Sequence, residues 1–586
     1  MLAKVASATL VGAEGRFVVV EVHVSSGLPS FHVVGLPDAS CREARDRARA
    51  AVVSSGFKWP QTRVTVNLAP TGVRKAGPGL DVPIALGVLA ASGQLRATAL
   101  AGFAFIGELG LDGSLRRVPG VLPLVAALSE VALSEVALSG GALSQGAIGG
   151  SVASAAGIGP APAAGGGAEV EGVAGWGTRR ESAVAVVVPP DCAGEAALFG
   201  RARVLVASTL RELVAVLEAK AAWPPLPECV YGADEAPPPD LADVKGQALG
   251  RQALEVSAAG GHHLLLVGPA GAGKTMLASR LPGLLPELST EDALEVAKIH
   301  SAAGLELSSS VLCRRPPFRS PHHSASAVSL VGGGGARLRP GEISCAHNGV
   351  LFLDELAEFP GSVLDNLRQP LEEGRIVVCR ASATVAFPAR FLLVAAMNAC
   401  RCGSDGSPGS CRCPPAQRAR YVGRISGPLL DRFDLRVRVG RPQVEELLVA
   451  SELSSREVPA GSEPTSVVAA RVEMARRRAR ERGLRCNSEL PASRLGVVAP
   501  LSAGARRLFE RRLREGRLSA RGLDRARRVA LTVADLAGDD VPLSEEHVLV
   551  SLALRAPGIL GYGETPGPFG ESARGQATRR NLRVVS

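Results

Sequence analysis

The stretch HHLLLVGPAGAGKTMLASRL, His262 to Leu281, decides the fold. It begins with an apolar run typical of a buried strand, continues through a glycine-rich turn and ends in a helical pattern. The turn from Gly268 to Thr275 fits the phosphate-loop spacing G-x-x-x-x-G-K-S/T, and the strand before it and the helix after it are the context that this motif requires. The stretch therefore predicts a phosphate-binding loop on an α/β domain rather than a chance glycine-rich turn.

The chemistry of this loop points to a nucleotide and a metal ion. Glycines let backbone N–H groups curl around phosphate oxygens, and the N-terminus of the following helix adds partial positive charge. Lys274 is expected to reach the β- and γ-phosphates, and the Thr275 hydroxyl is expected to bind Mg²⁺. ATP and Mg²⁺ are the predicted cofactors. The predicted nucleotide-binding residues are Gly268, Pro269, Ala270, Gly271, Ala272, Gly273, Lys274, Thr275 and Asp354.

Two later strand patterns end in polar residues that suit the same site. In GVLFLDELAEF, the apolar run is followed by Asp354 and Glu355. Asp354 is expected to hold Mg²⁺, and Glu355 to orient and deprotonate the attacking water. In FLLVAAMN, the run ends at Asn398, whose amide could point at the γ-phosphate, although asparagine commonly ends strands. The sequence therefore predicts a site for ATP hydrolysis.

The length of 586 residues is too great for one core and indicates a multidomain protein. Strand and helix patterns alternate before and after a proline-rich break, WPPLPECVYGADEAPPPD, which predicts α/β architecture with a mainly parallel sheet in the ATPase part. The predicted organisation is an α+β N-terminal domain (1–225) with a low-complexity, disordered insertion (about 126–180), a linker (226–240), an ATPase core (241–440), an arginine-rich helical lid (441–556) and a tail (557–586).

Charge is concentrated in one part of a chain whose formal net charge is +10. Between Arg471 and Arg528 there are eighteen arginines and six acidic residues. This block suits a polyanion partner, and a solvated helical face explains it equally well. The start of the chain lacks the long apolar core of a signal peptide, and no apolar span suits a membrane helix. We expect a cytoplasmic protein with no membrane partner.

Four of the eleven cysteines lie together in NACRCGSDGSPGSCRC, directly after the strand that ends at Asn398. Two close pairs of thiolates across a short loop suit tetrahedral zinc, although C-x-C is tighter than the usual C-x₂-C. Free thiols are the alternative, because the cytosol disfavours disulfides. His322 and His323 could be extra ligands, but four sulfurs already fill a zinc site, so a structural role or a place near the nucleotide is favoured. The predicted zinc ligands are Cys400, Cys402, Cys411 and Cys413.

Longer motifs resemble one family. FRSPHHSASAVSLVGGG, RPGEISCAHNGVLFLDELAEF, LRQPLEEGRIVVCR and RISGPLLDRFDL, with GLPSFHVVGLPD and GPGLDVPIALGVLA nearer the start, closely resemble the ComM/YifB family of magnesium-chelatase-like AAA+ ATPases. The resemblance covers nearly the whole chain outside the insertion and the tail. It implies a homo-oligomeric ring, a hexamer, in which Asn398 is sensor 1, Arg432 is the arginine finger and Arg521 is the sensor 2 arginine of the lid.

The same resemblance implies work on DNA. ComM-type proteins resemble hexameric helicases that aid the recombination of incoming DNA by branch migration during natural transformation, so single-stranded or branched DNA and recombination proteins are the expected partners. The core also resembles MCM helicases, which share two insertions, here SLVGGGGARLRPG and IVVCRASATVAF. The second would place Arg380 at a hairpin tip in the ring's pore. The alternative is that Arg380 pairs with Glu372 or Glu373.

The first part of the chain, especially IGELGLDGSLRRVPGV, resembles the proteolytic domain of Lon proteases. That family uses a serine nucleophile and a lysine base, and the matching positions here are Gly79 and Leu122, so an inactive relative is expected. An alternative function is a chelatase-type ATPase that remodels a protein partner for metal insertion into a tetrapyrrole. The intact phosphate loop and acidic residues argue against a non-enzymatic scaffold.

Overall fold

The computed structural model describes residues 1–75, 77–138, 184–227, 238–307, 314–334, 338–380, 383–404, 411–441 and 463–556. The amino-terminal part contains a mixed seven-stranded sheet with the order β3-β4-β2-β1-β5-β8-β9. Alternation in β2 turns Val18, Val20 and Val22 into the core, where they are fully buried. The strands are β1 (Leu2–Val11), β2 (Glu14–Ser25), β3 (Ser30–Val34), β4 (Arg63–Ala69), β5 (Phe103–Phe105), β8 (Ala185–Val188) and β9 (Arg203–Val206), and a separate ribbon pairs β6 (Glu108–Leu109) with β7 (Leu115–Arg116).

Helices cover this sheet, and two of them are capped by side chains that the sequence supplies. The Asp38 carboxylate accepts from the backbone N–H of Cys41 at 2.7 Å, and the Thr209 hydroxyl caps a later helix by accepting from the N–H of Glu212. The helices are α1 (Ala39–Ser54), α2 (Asp81–Ala91), α3 (Val121–Leu138), α4 (Ala193–Ala197) and α5 (Leu210–Leu217).

Helix α3 extends past the predicted start of the low-complexity insertion, so that predicted boundary is wrong. The sequence predicts the insertion from about residue 126, but the helix continues to Leu138. The repeated ALSEVALSEVAL is rich in alanine, leucine and glutamate, which are good helix formers, so the repeat extends the helix that precedes it. Residues 139–183, which include the rest of the predicted insertion, lie outside the described residues, as do most of the linker and the tail.

The second large sheet has five strands in the order β11-β14-β17-β10-β18, and each neighbouring pair is parallel. The predicted parallel sheet of an α/β domain is therefore confirmed. Its inner strands are short apolar runs that are buried on both faces, as expected when helices cover both sides. The strands are β10 (Leu264–Val267), β11 (Phe318–Arg319), β14 (Val350–Leu353), β17 (Leu392–Met397) and β18 (Leu435–Arg438).

Ten α-helices and two small hairpins surround this sheet in the described part of residues 241–441. One hairpin pairs β12 (Gly332–Gly333) with β13 (Arg339–Pro340), and the other pairs β15 (Arg375–Arg380) with β16 (Ala383–Pro388). The helices are α6 (Ala248–Gly260), α7 (Lys274–Ala278), α8 (Leu281–Leu284), α9 (Thr290–Ala303), α10 (Ala327–Val331), α11 (Glu342–Cys345), α12 (Gly361–Asp365), α13 (Arg368–Glu373), α14 (Pro415–Val422) and α15 (Gly427–Leu430).

The carboxyl-terminal part is a bundle of helices that packs beside the second sheet. Its two longest helices lie against α6, and the Thr532 hydroxyl lies 2.8 Å from Nε2 of His262, near the amino end of β10. The bundle therefore contacts the amino edge of the parallel sheet. Its helices are α16 (Thr465–Glu481), α17 (Ala492–Val498), α18 (Ala503–Arg514), α19 (Ala520–Ala537) and α20 (Glu545–Ala553).

The amino-terminal part and the ATPase core share a continuous apolar interface, in which α3 packs on α9. Polar groups also form hydrogen bonds and an ion pair at this interface. Buried Glu195 accepts hydrogen bonds from the Ser301 hydroxyl of α9 and, at 3.2 Å, from the Leu122 backbone N–H. Arg117 lies 3.6 Å from the same carboxylate. No helix within the described ranges is long and apolar enough to cross a membrane.

Candidate functional site

The phosphate loop lies at the carboxyl edge of the parallel sheet, between the ends of β10 and β17. Gly271 and Gly273 have positive φ angles of 75° and 80°, a conformation that residues with a Cβ adopt rarely. Helix α7 begins at Lys274, directly after this turn. A cleft of about 450 Å³ opens over the loop, lined by the loop itself and by Asp354, Glu355, Met397 and Asn398. The structure thus brings the predicted loop, the two acids and the asparagine together.

Lys274 is held inside the phosphate loop by three oxygen atoms. Its ammonium donates to the carbonyl oxygens of Gly268 and Pro269, at 3.0 and 2.8 Å, and to Oδ1 of Asn398 at 3.0 Å. Burial lowers the pKa of Lys274 from its usual value. Binding of an anionic phosphate would offset this effect, because the charged ammonium would gain an opposite charge.

The two predicted Mg²⁺ ligands and the candidate base also line the cleft. The Thr275 hydroxyl donates to Oδ2 of Asp354 at 2.6 Å, so the two predicted ligands of Mg²⁺ lie side by side. Hard oxygen donors of this kind suit Mg²⁺. Glu355 follows directly in the left-handed conformation, with φ 52° and ψ 46°, and its side chain is half-exposed. Such a backbone is uncommon for a residue with a Cβ and is found most often at functional sites.

The sequence favours either a structural role or a place near the nucleotide for His323, and the structure gives this side chain a partner. Its Nδ1 lies 3.2 Å from Oε2 of Glu355. The strand register explains the contact: β11 and β14 are parallel neighbours, so the segments that follow them emerge side by side. The sequence feature that could have indicated this contact is a polar residue, His323, shortly after the end of β11 at Arg319. His322, in contrast, lies with Nδ1 2.7 Å from the Ser324 hydroxyl.

Arg432 lies at the opposite edge of the same sheet. It lines a cavity of about 620 Å³ together with His263, Gly349 and Leu392, which are at or beside the amino ends of β10, β14 and β17. Six residues of β17 separate the two edges, which is roughly 20 Å at about 3.3 Å per residue. The guanidinium pairs with Glu372 of its own chain. Arg432 therefore cannot contact the phosphate loop of its own subunit.

Arg521 lies on this same far edge. Burial lowers the pKa of Arg432, and the positive charges of nearby Arg525, Arg521 and Arg368 act in the same direction. Arg525, one turn after Arg521 in α19, donates to the Arg432 carbonyl at 2.9 Å. The helical lid thus places Arg521 close enough to Arg432 for their charges to interact, and Arg521 does not line the cleft at the phosphate loop of its own subunit.

Arg380 is the last residue of β15 and is exposed where the β15–β16 hairpin turns. An ideal Cβ on Gly333 would lie 3.4 Å from its Nη2, so the tip lies against the β12–β13 hairpin. The alternative partners are engaged elsewhere, since Glu372 pairs with Arg432 and Glu373 with Arg375. Within the described residues, Arg380 forms no ion pair.

The four cysteines form one cluster. Their sulfur atoms all lie within 4.8 Å of one another, and Cys411 is 3.3 Å from Cys400 and 3.6 Å from Cys402. Four Zn–S bonds of about 2.3 Å in a tetrahedron place the sulfurs roughly 3.8 Å apart, so the cluster fits zinc. The backbone N–H of Ala270 donates to the Gly403 carbonyl at 2.9 Å, which attaches this cluster to the phosphate loop.

Most arginines between Arg471 and Arg528 form ion pairs or hydrogen bonds with other groups of the protein. Arg471 bridges Glu255 and Glu463, Arg482 pairs with buried Asp535, and several others donate to backbone carbonyls. Such bonds fix the bundle on the core. Within the described part of the chain, the arginines of the block whose side chains form no hydrogen bond or ion pair are Arg477, Arg506, Arg507, Arg511 and Arg521.

The two positions that the sequence resemblance aligns with a Lon-type active site, Gly79 and Leu122, are buried in the amino-terminal part. Leu122 is fully buried near the start of α3, and a Cβ on Gly79 would lie 3.2 Å from Cγ1 of Val118. Neither residue has a group that could attack a peptide bond or accept a proton.

Known proteins match this chain along most of its length. Residues 240–447 match magnesium chelatase, subunit ChlI, residues 20–140 match subunit ChlI of Mg-chelatase, and residues 462–555 match the ChlI C-terminal family. The chain is 41% identical over 563 residues to an uncharacterized protein of Mycobacterium tuberculosis, covering 95% of this chain and 99% of the relative. It is 39% identical over 545 residues to the uncharacterized protein YifB of Escherichia coli (93% and 95%). It is 38% identical over 562 residues to the competence protein ComM of Haemophilus influenzae (95% and 97%).

Proposed function

The chain belongs to the magnesium-chelatase-like family that includes YifB and ComM, and from this premise we propose that it is an ATP-hydrolysing ring motor acting on DNA. The observation that carries the proposal is the division of the catalytic groups between the two edges of one sheet. Lys274, Thr275, Asp354 and Glu355 lie at the carboxyl edge, whereas Arg432 lies at the amino edge. A complete site therefore requires two copies of the chain.

The residues of the cleft suit hydrolysis of the β–γ phosphate bond. Lys274 would neutralise phosphate oxygens, and Thr275 with Asp354 would hold Mg²⁺, which supplies further charge neutralisation when bound. Glu355 would take a proton from the attacking water, and Asn398 would orient that water and the terminal phosphate. Arg432 of the neighbouring copy would complete the site by stabilising the charge on the transferred group.

The divided site supports the proposal of a ring. Because each copy offers its acids on one edge and Arg432 on the other, the proposed contact is head-to-tail, and repetition of such a contact gives a ring when its rotation closes and an open filament when it does not. We propose six subunits on the family resemblance. Arg521, on the same face as Arg432, is proposed to contact the nucleotide of the adjoining subunit.

DNA is the proposed substrate of the motor. Arg380 is an exposed guanidinium with no acidic partner among the described residues, at the tip of a hairpin and against a second, glycine-rich hairpin. Such a group contacts phosphate without reading sequence. The relative from Haemophilus influenzae is named a competence protein. We therefore propose helicase or branch-migration activity on single-stranded or branched DNA during natural transformation, with recombination proteins as partners.

The experiment is an ATPase assay with no DNA and with single-stranded, duplex and branched DNA, on wild type and Arg380→Ala. Wild type should be stimulated, and Arg380→Ala should lose stimulation and strand displacement, with a smaller salt dependence of DNA binding. Arg375→Ala, which removes an arginine of the same strand that is paired with Glu373, is the matched control. Wild-type rings that no DNA stimulates would refute the DNA motor.

The remaining parts of the proposal concern the cysteines and the amino-terminal domain. Zinc held by Cys400, Cys402, Cys411 and Cys413 would cross-link the two ends of the segment that joins the two cysteine pairs. The amino-terminal domain is proposed to be a Lon-like domain without proteolytic activity, because its matching positions carry glycine and leucine. A cytoplasmic location fits both proposals.

A second candidate function is a chelatase-type ATPase that remodels a protein partner for metal insertion into a tetrapyrrole. The match of three segments to chelatase subunit families favours it. It predicts stimulation by a protein partner and none by DNA, so the same assay separates the two functions.

A further inference from the structure

The two-residue turn that joins β1 to β2 in the amino-terminal domain packs against the β15–β16 hairpin. An ideal Cβ on Gly12, in this turn, would overlap Cγ1 of Val385 and lie 3.3 Å from Cε1 of Phe387. We propose that the amino-terminal domain has a function in the motor, in which its β1–β2 turn positions the hairpin that presents Arg380. The part that concerns Arg380 rests on the proposed function, because it takes this guanidinium as the DNA contact.

The β15–β16 hairpin needs support from other parts of the protein. Within the described part of the chain its two strands pair only with each other, and a two-stranded hairpin by itself is marginally stable in water. Alternation along both strands turns one face of the hairpin inward, and the buried residues of this face form two cross-strand pairs. They are Ile376 with Phe387, and Val378 with Val385. The position of the hairpin therefore depends on what this apolar face packs against.

The contact with Gly12 lies close to the tip of this hairpin. Val385 is opposite Val378, and two residues farther along the same ladder Arg380 is opposite Ala383. At about 3.3 Å per residue, the backbone of Arg380 lies only about 7 Å beyond the level of the contact. A displacement of the strand at Val385 would therefore shift Arg380 as well.

The β1–β2 turn is a firm support because it ends a long ribbon of the seven-stranded sheet. β1 pairs with β2 along all of its ten residues and with β5 on its other side. The same domain is held on the ATPase core at a second place, where α3 packs on α9 and buried Glu195 accepts from the Ser301 hydroxyl. Because the domain is fixed at both places, the turn positions the hairpin relative to α9.

Glycine at position 12 is required for two reasons. Its φ angle of 67° is disfavoured for residues with a Cβ, and glycine is common at this place in two-residue turns. The space that a Cβ would occupy is also filled by Val385, whose β-branched side chain is stiff at χ1. A methyl group at this position has to push the turn and the hairpin apart. Gly93 separates the two reasons, because its φ is 76° but no atom lies within 4 Å of its ideal Cβ.

The experiment compares Gly12→Ala with Gly93→Ala in the full-length protein by hydrogen exchange and by the ATPase assay. In Gly12→Ala, exchange of the amides of the β15–β16 hairpin should become about tenfold faster, because overpacking destabilises the hairpin locally. DNA stimulation should fall about threefold or more at an unchanged DNA-free kcat, because a displaced guanidinium contacts the phosphate backbone less well. Gly93→Ala should match wild type in both measurements. Binding of a fluorescent ADP analogue checks that each variant is folded.

Two further variants test the contact from the side of the hairpin. Gly12→Ala/Val385→Ala should regain slow exchange and DNA stimulation, because the loss of Cγ1 makes room for the added methyl group. Val385→Ile adds a carbon to the same contact without involving a positive φ, so it should reproduce the Gly12→Ala effects even if that variant does not fold. Val377→Ile, on the opposite face of β15, is its matched control.

The outcomes separate the support of the hairpin from the proposed function. Unchanged hydrogen exchange in folded Gly12→Ala or Val385→Ile would overturn the support. An equal effect of Gly93→Ala would also overturn it, because backbone strain alone would then explain the loss. Faster exchange with full DNA stimulation would overturn the link between the turn and Arg380. Absence of DNA stimulation in wild type would refute the DNA motor, while the exchange rates would still decide whether the turn supports the hairpin.

Discussion

Replacement of Cys411 by serine should weaken nucleotide binding, although Cys411 does not line the nucleotide cleft. Its sulfur is 3.3 Å from that of Cys400 and 3.6 Å from that of Cys402, so its loss removes one of four candidate zinc ligands. Gly403, next to Cys402, accepts the hydrogen bond of the Ala270 N–H at 2.9 Å. Without the metal, the segment around Cys402 and Gly403 loses its cross-link to Cys411, and the phosphate loop loses a support.

The expected magnitude follows from that one bond. A backbone hydrogen bond contributes about 1 kcal/mol net, and about 1.4 kcal/mol corresponds to a tenfold change in affinity. Loss of the Gly403 support should therefore weaken nucleotide binding roughly fivefold. A second bond lies close to the cluster, because Asn398, two residues before Cys400, accepts from Lys274 through its Oδ1 at 3.0 Å. If that bond is also lost, the effect should reach about 25-fold.

The assay is titration of a fluorescent ADP analogue, together with metal analysis of the purified protein by mass spectrometry. Wild type should contain about one zinc per chain, since four sulfurs complete one tetrahedral site, and Cys411→Ser should contain little. Cys379→Ser is the matched control, because Cys379 is an exposed cysteine of β15 outside the cluster. A Cys411→Ser protein that has lost its zinc but binds the analogue as tightly as wild type would contradict the reasoning.

Three other variants test the divided site. Glu355→Gln should keep nucleotide binding and lose roughly 100-fold or more in kcat, because an amide cannot take the proton; normal turnover would contradict the assignment. Lys274→Ala should weaken binding of the analogue itself, since the ammonium that faces the phosphates is gone. Arg432→Ala should bind nucleotide normally but not hydrolyse it. Mixing inactive Lys274→Ala with inactive Arg432→Ala should restore part of the activity, and no recovery in mixed rings would argue against a shared site.

The sequence predicted the local parts of the fold and of the site. The phosphate loop was predictable because strand, turn and helix follow one another within twenty residues. Asp354, Glu355 and Asn398 were predictable because the ends of parallel strands gather at one edge of the sheet, whatever the order of the strands. The apolar runs around them could therefore be read as neighbours without knowledge of any long-range contact.

Contacts between distant segments were not predictable in the same way. The 3.2 Å approach of His323 to Glu355 depends on β11 lying next to β14, which no local pattern states. The place of Arg521 depends on which edge of the sheet the lid covers. The arginine block showed only a net charge, whereas its role in the structure depends on partners such as Glu255 and Asp535. The amino-acid composition gives the number of charges but does not show which charged side chains form ion pairs.

Under the proposed function, the ion pair between Arg432 and Glu372 must break when two subunits assemble around ATP. In a single subunit the guanidinium is neutralised by an acid of its own chain. Assembly around ATP would exchange this carboxylate for a phosphate of the adjoining subunit, so the two anions compete for one cation. Glu372 is half-exposed, so water can solvate its carboxylate once the guanidinium has turned to the phosphate. A subunit of this kind can be stable alone and yet complete the active site only when a neighbour presents a bound nucleotide.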